Sequence, residues 1–328
     1  MLDRQGREIS YLRISVTDRC DLRCRYCMPE NGISWVEHRE ILTYEEILHL
    51  VGLFAQLGIH RIRLTGGEPL VRQDLPRLVA GIKRTPGVRW VGLTTNGILL
   101  KEQLPALLDV GVDGINLSLD TLDRQQYAAI TRRDALYRAL DGLNAALSAA
   151  ASDRLTLKIN CVPTAENAGQ WVPLARIARD NERTDVRFIE LMPIGLGAEF
   201  PCRTETEVRA ALETAFGPAI PCPQEHGGGP SRYVTFPGFR GRVGFISAIT
   251  HQFCSGCNRV RLTATGFLKT CLQYRAGVDL RGLLRNGSGD QAILAAIEAA
   301  VQEKPAAHHF HTGRDTEDET RTMNQIGG

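Results

Sequence analysis

Cys20, Cys24 and Cys27 stand within the octet Cys-Asp-Leu-Arg-Cys-Arg-Tyr-Cys, with three residues and then two between them. That spacing lets one short loop wrap three thiolates around a single inorganic centre. Thiolate sets of this kind suit zinc or iron–sulfur rather than hard cations. A closed structural zinc site takes four protein ligands, and so does an ordinary electron-transfer cluster. A four-iron cluster on three cysteines keeps one iron open for chemistry. A zinc loop needs a fourth ligand, such as Asp18 or a distant histidine. A second set follows far along the chain: Cys254-Ser255-Gly256-Cys257, then Cys271 after thirteen residues. His251 could complete a Cys₃His zinc site there; the other reading is a second cluster with an open iron. Arg259 and Arg261 alternate on a presumed strand, so both guanidiniums point one way and ask for an anion. Cys161, Cys202 and Cys222 stand alone and read as small buried hydrophobes.

The elements that must position these groups show in the apolar pattern. Candidate strands cover 11–17, 60–65, 88–94, 114–120, 155–162 and 185–192, separated by helical stretches at 43–57, 74–83, 101–110, 137–151 and 166–181. Thr43 with Glu46 makes a capping box, and Gly58 and Gly111 follow their helices as stops. Such alternation predicts parallel strands with right-handed crossovers. Six units fall two short of an eight-stranded barrel, so the expected fold is α/β, an incomplete (β/α)6 TIM-like barrel. The rhythm changes after Met192, which divides the chain into 1–195, the partial barrel, and 196–328, a C-terminal extension carrying the second cysteine set. In that extension 204–216 reads as a helix, 231–236 and 242–246 as a hairpin, and 280–285 and 291–303 as helices.

Alternation along the strands says more. Leu12, Ile14 and Val16 share one face of the first strand, and Arg13, Ser15 and Thr17 the other. Ile62 and Leu64 oppose Arg61, Arg63 and Thr65; Ile115, Leu117 and Leu119 oppose Asn116, Ser118 and Asp120; Leu157, Ile159 and Cys161 oppose Thr156, Lys158 and Asn160. The third strand is weaker, and the parity of the sixth, with Arg187, is ambiguous. Parallel sheets are usually apolar on both faces. A polar second face implies a barrel interior that holds a large polar ligand. Buried Arg13, Arg63 and Lys158 would be costly without an anion, which points to a phosphate-rich substrate. A sheet with one solvent face is the plainer alternative.

In such a barrel functional residues belong at the carboxyl ends of strands. Gly66-Gly67-Glu68-Pro69 follows the second strand, Thr94-Thr95-Asn96-Gly97 the third, and Ser118-Leu119-Asp120 closes the fourth. Glycines there allow main-chain N–H groups to approach a ligand. The net charge of +2 gives no case for nucleic-acid binding. The N-terminal residues lack an apolar signal core, and no apolar run reaches the ~18 residues of a membrane span. The expected place is therefore the cytoplasm, where clustered cysteines read as metal ligands rather than disulfides.

The first cysteine loop with Tyr26 before its last cysteine resembles the signature of radical S-adenosylmethionine (SAM) enzymes. Together with Gly-Gly-Glu-Pro, Thr-Thr-Asn-Gly, the second cysteine set, Arg-x-Arg and the terminal Gly327-Gly328, the chain from Arg13 to Gly328 resembles the GTP 3',8-cyclase family, which opens molybdenum cofactor biosynthesis. The resemblance implies two [4Fe–4S] clusters, on Cys20, Cys24 and Cys27 and on Cys254, Cys257 and Cys271. It implies SAM contacts from Tyr26, Gly67, Ser118 and Met192, and GTP contacts from Arg13, Arg63, Thr94, Lys158, Arg259 and Arg261. It carries to Arg259, Arg261, Gly327 and Gly328 a place in the catalytic machinery. A 5'-deoxyadenosyl radical would take hydrogen from ribose C3', and C3' would add to guanine C8. A reducing electron donor, the next enzyme of the pathway (cyclic pyranopterin monophosphate synthase) and a homodimer are implied as partners. Two rivals stand beside it: another radical SAM enzyme with an auxiliary cluster that modifies a peptide, and a non-catalytic zinc or iron–sulfur protein. Arg61, Arg187, His251 and the run from His308 to His311 carry no role in this reading.

Overall fold

The computed structural model describes residues 1–222, 228–310 and 315–327. Strand and helix alternate at first: β1 (Tyr11–Ser15), α1 (Tyr44–Gln56), β2 (Arg61–Thr65), α2 (Leu75–Arg84), β3 (Trp90–Thr95), α3 (Leu100–Asp109), β4 (Gly114–Ser118), α4 (Arg124–Thr131), α5 (Leu136–Ala151), β5 (Thr156–Cys161), α6 (Trp171–Asp180) and β6 (Thr184–Ile189). There follow α7 (Glu205–Phe216), β7 (Ile220–Pro221), β8 (Arg232–Thr235), β9 (Arg242–Ile246), β10 (Arg259–Leu262), β11 (Phe267–Lys269), β12 (Gly277–Asp279), α8 (Leu280–Arg285), α9 (Asp290–Gln302) and α10 (Met323–Ile326). Thr43 and Thr204 both close reciprocal capping boxes, which fix where α1 and α7 begin. The short α4 was not foreseen. It is weakly apolar and is started by Asp123, whose side chain accepts from the Gln126 N–H.

All strands join one sheet in the order β12-β11-β10-β1-β2-β3-β4-β5-β6-β9-β8-β7. β1 to β6 lie side by side, parallel and in chain order, as expected. The hairpin of β8 and β9 is present, but β9 also continues the parallel sheet beyond β6. At the other edge β10 pairs parallel with β1. Neither pairing leaves a local trace in sequence, because the partners are far apart along the chain. Leu12, Ile14, Ile62, Leu64, Val91, Leu93, Ile115, Leu117, Leu157 and Ile159 are all buried under the helices. Each contributes about 1.5–3 kcal/mol by burial, so a slip by one residue would reverse the faces at a large cost. Val186 and Phe188 join that core, so Arg187 and Ile189 take the opposite face, where both line the cavity described below. Among the described residues no helix is long and apolar enough to cross a membrane.

Candidate active site

A cavity of about 560 Å³ lies over the polar face of the sheet. Both cysteine triads line it: Cys20, Cys24 and Cys27 from the loop after β1, and Cys254, Cys257 and Cys271 from the loops on either side of β10 and β11. Arg13, Arg63, Lys158, Arg259 and Arg261 line it as well, and so do Arg61 and Arg187. Tyr26, Gly67, Thr94, Ser118 and Met192 complete the walls among the residues singled out from sequence. Gly327 lies beside them: its carbonyl accepts a 2.7 Å hydrogen bond from Arg261 Nη1. Gly328 and His311 lie outside the described residues.

Strand register sets the charge pattern. Arg13 is level with Arg63 on one side and Arg261 on the other; Tyr11 is level with Arg61 and Arg259. Burial pulls the Arg13 guanidinium well below its ordinary range, and Arg261, Arg63 and Arg259 reinforce it. Burial, then Arg259, brings Arg261 down to about 10. These groups are held close together against their mutual repulsion, and a polyanion would relieve it. The third strand explains part of the crowding. Gly92 has no side chain, and a Cβ there would stand 2.1 Å from the Trp90 ring. The indole thus lies flat on the sheet, with the Arg61 and Arg63 guanidiniums 4.5 and 4.7 Å from its centroid. Lys158 differs from expectation. It pairs with Asp185 of the adjacent strand at 3.0 Å and donates to Tyr233 Oη at 2.8 Å. Arg187 likewise spends Nε and Nη2 on Asn160 Oδ1, at 2.9 and 2.6 Å.

Tyr11 reports on this field. Arg63 Nε donates to its hydroxyl at 2.5 Å. Burial alone would raise the phenol, but Arg63, Arg13 and Arg259 outweigh it and bring it from 10.0 down to about 8. A folded value below the unfolded one means that this group favours folding fully above pH ~10, an advantage lost as pH falls through ~8. In the apoprotein one tyrosine is therefore expected to ionise near 8, read as tyrosinate absorbance. Tyr11→Phe should remove that step. All tyrosines titrating together near 10 would count against this arrangement of charge.

The first cysteine loop is held from behind by α4. Arg23 N–H and Arg25 N–H donate to Thr131 O and Ile130 O at 2.9 and 3.0 Å. Arg132, at φ +56°, bonds the Arg23 and Met28 carbonyls. Gly67 differs from expectation too. The Gly67 N–H is given to Thr17 O at 2.7 Å, and a Cβ on Gly67 would lie 2.2 Å from Arg19 O. Glycine there lets the two loops touch, and its amide is already engaged. Glu68 ties the next loop: its carboxylate accepts from Thr95 Oγ1, Asn96 N and Leu70 N, while burial pushes it up to about 7. Tyr26 Oη donates to Asp120 at 2.5 Å, and burial pushes Asp120 up to about 6.

All nine cysteines are free thiols. Burial pushes Cys20 and Cys24 up, and Cys27 up to about 11. Cys257 goes the other way: burial would raise it, but Arg259 and Lys304 bring it to about 6. Soft sulfur in threes, at two places in one cavity, fits thiolate ligation of iron–sulfur groups. Metal coordination would offset the cost of ionising the buried thiols. The fourth zinc ligands considered from sequence are turned to other work. Asp18 accepts from the Val36 N–H at 2.8 Å, and exposed His251 lies 3.7 Å from Glu205. Among the described residues no three His, Cys, Asp or Glu side chains are grouped to hold a single metal ion. Sequence reasoning missed Tyr11, Trp90 and Lys304 in this cavity. Parity could have found Tyr11, which alternates with Arg13. Lys304, after α9, has no signal in its own neighbourhood.

Residues 14–166 match the radical SAM superfamily, and residues 184–310 match the family described as Molybdenum Cofactor Synthesis C. The chain is 44% identical to a GTP 3',8-cyclase of Pelotomaculum thermopropionicum over 333 aligned positions, covering all of both chains. It is 39% identical to a GTP 3',8-cyclase of Clostridium perfringens, again over the full length of each. Among solved structures, Streptococcus suis SuiB bound to S-adenosylmethionine superposes with a TM-score of 0.58 at 14% identity, over 89% of this chain and 68% of that one. At that identity the likeness concerns the fold.

Proposed function

The chain belongs to the GTP 3',8-cyclase family of the radical SAM superfamily, and from that premise we propose that it converts GTP to (8S)-3',8-cyclo-7,8-dihydroguanosine 5'-triphosphate, the first step of molybdenum cofactor biosynthesis. The observation that carries the reading is one cavity walled by two thiol triads and a row of guanidiniums. The family uses SAM and iron–sulfur clusters, typically two. Cys20, Cys24 and Cys27 would hold one cluster, with SAM among Tyr26, Gly67, Ser118 and Met192. Cys254, Cys257 and Cys271 would hold the other. When bound, SAM and the first cluster supply the one-electron chemistry that removes hydrogen from ribose C3' and lets that carbon bond to guanine C8.

The rest falls to this chain's own groups. Arg13, Arg63, Arg259 and Arg261 bind the triphosphate and neutralise it in a low-dielectric pocket, where each contact is stronger than in water. Lys158 and the Thr94 hydroxyl orient the nucleoside end. Gly327 fixes Arg261 through its carbonyl, and Gly328 is proposed to share in the catalytic machinery. The enclosing walls keep water from reactive carbon centres. A reducing donor, the next enzyme of the pathway and a second copy of the chain complete the proposed partners.

Anaerobic reconstitution is expected to load about eight irons per chain, four at each triad. Incubation with SAM, a reductant and GTP should then give 5'-deoxyadenosine and the cyclised nucleotide together. A colourless zinc protein, or 5'-deoxyadenosine released only with a peptide, would replace this reading with one of its rivals.

A further inference from the structure

The N-terminal segment ahead of β1 contributes a side chain to none of the features described so far, yet it holds one of the most heavily bonded groups in the molecule. Arg7 is buried, its side chain 5% exposed, and it pairs with a fully buried Asp3 at 2.6 Å through Nε. Nη1 donates to Cys254 O at 2.9 Å and to Ala306 O at 3.0 Å. Nη2 donates to Pro305 O at 2.7 Å, to Gln5 Oε1 at 3.0 Å and, more weakly, to Lys304 O at 3.4 Å. Every donor of the guanidinium thus has an acceptor, in a planar fan that an ammonium group cannot copy. The local sequence Asp3-Arg4-Gln5-Gly6-Arg7 builds the seat. Asp3 Oδ1 accepts from the N–H groups of Gln5 and Arg7, and Gly6 turns the chain at φ +74°.

Lys304 completes the arrangement from the other side. It is buried, and its Nζ donates to Arg259 O at 3.0 Å and to Thr270 O. Arg259 lies two residues after Cys257, and Thr270 lies directly before Cys271. The two cations therefore grip backbone at or beside all three thiols, from segments far apart in the chain.

We propose that Arg7 and Lys304 form a buried clasp that positions the second thiol triad, Arg7 through the Cys254 carbonyl and Lys304 through the backbone beside Cys257 and Cys271. They are positioning residues, and the inference rests on reading that triad as a ligand set. Neither thiol loop carries regular structure long enough to hold itself, so a clasp made of charge-assisted bonds to carbonyls supplies the rigidity.

The test compares the two triads within one molecule. In apoprotein carrying Arg7→Gln, limiting iodoacetamide followed by peptide mass spectrometry should label Cys254, Cys257 and Cys271 about tenfold faster than in the unaltered chain, the result of leaving buried acceptors unsatisfied. Cys20, Cys24 and Cys27 should keep their rates. After reconstitution the variant should hold about four irons in place of about eight. Arg7→Lys should fail to restore either property, because three donors on a flexible stem cannot serve this fan of acceptors. Should Arg7→Gln not fold, Lys304→Gln must give the same contrast between triads, read at Cys271, because this cation also favours the ionised thiols of Cys254 and Cys257. Unchanged labelling, or equal acceleration at both triads, overturns the clasp. Absence of iron from the unaltered protein would instead overturn the ligand-set reading, and the labelling contrast would still decide whether the clasp exists.

Discussion

Replacing Gly327 with alanine is expected to slow GTP cyclisation by about a hundredfold or more, the usual consequence of displacing a positioned group by an ångström near the chemistry. The residue has φ +90°, in a region that L side chains rarely adopt, and a Cβ there would stand 2.7 Å from Ser15 Cβ. Ser15 belongs to β1 and cannot retreat, so the tail must. Retreat withdraws the Gly327 carbonyl from Arg261, which then loses its 2.7 Å bond and its orientation toward the cavity. The tail has little slack to absorb the change. Upstream, Lys269 and Glu319 make a fully buried ion pair that also bonds Arg321. Thr322 and Gln325 close a capping box on α10, and Asn324 Nδ2 donates to Asp18 O at 3.2 Å. Iron content should be unchanged, since all six thiols are kept and, among the described residues, the tail touches them only through the Asn324 main chain at Cys27. Turnover equal to that of the unaltered protein would show that the tail does not take part.

Arg13→Ala should act in opposite directions on stability and on substrate. The guanidinium stands between Arg63 and Arg261 on adjacent strands, half-buried, and its charge is disfavoured by desolvation and by those neighbours. Removing it relieves repulsion in the empty protein, so thermal unfolding of the apoprotein should occur at the same temperature or higher, with a cavity left by the lost side chain working against the gain. For GTP the loss is one-sided. A buried contact between an arginine and a phosphate costs about 2–5 kcal/mol when one partner is truncated, so the KM for GTP should rise by about thirtyfold or more. Calorimetry and steady-state kinetics on the same preparation separate the two effects. A drop in stability with little change in KM would make Arg13 a structural group.

The polar face of the sheet was readable because strands impose a period of two, and four of the six strands kept it cleanly. β6 did not. Val186, Phe188 and Ile189 are all apolar, and only packing against β9 decides that Arg187 and Ile189 face the cavity. The cysteine sets were readable from spacing alone, since ligation demands particular side chains. Their supports were not: α4 behind the first loop, and Arg7 and Lys304 behind the second, act through backbone carbonyls that every residue possesses. The inner cations were expected to face an anion; Arg13, Arg63 and Arg261 do stand level with one another on the cavity side of adjacent strands. Lys158 instead finds Asp185, because register sets the two residues opposite one another on β5 and β6.

The two outer parallel strands have a bearing on biosynthesis. β1 leaves the ribosome about 240 residues ahead of β10, with which one of its edges pairs. Until β10 follows, a row of main-chain donors and acceptors stands open, ready to recruit a neighbouring nascent chain. β6 waits in the same way for β9. A product terminated near residue 195 would keep both borders bare, and expression of that fragment alone would favour inclusion bodies over a working half-enzyme.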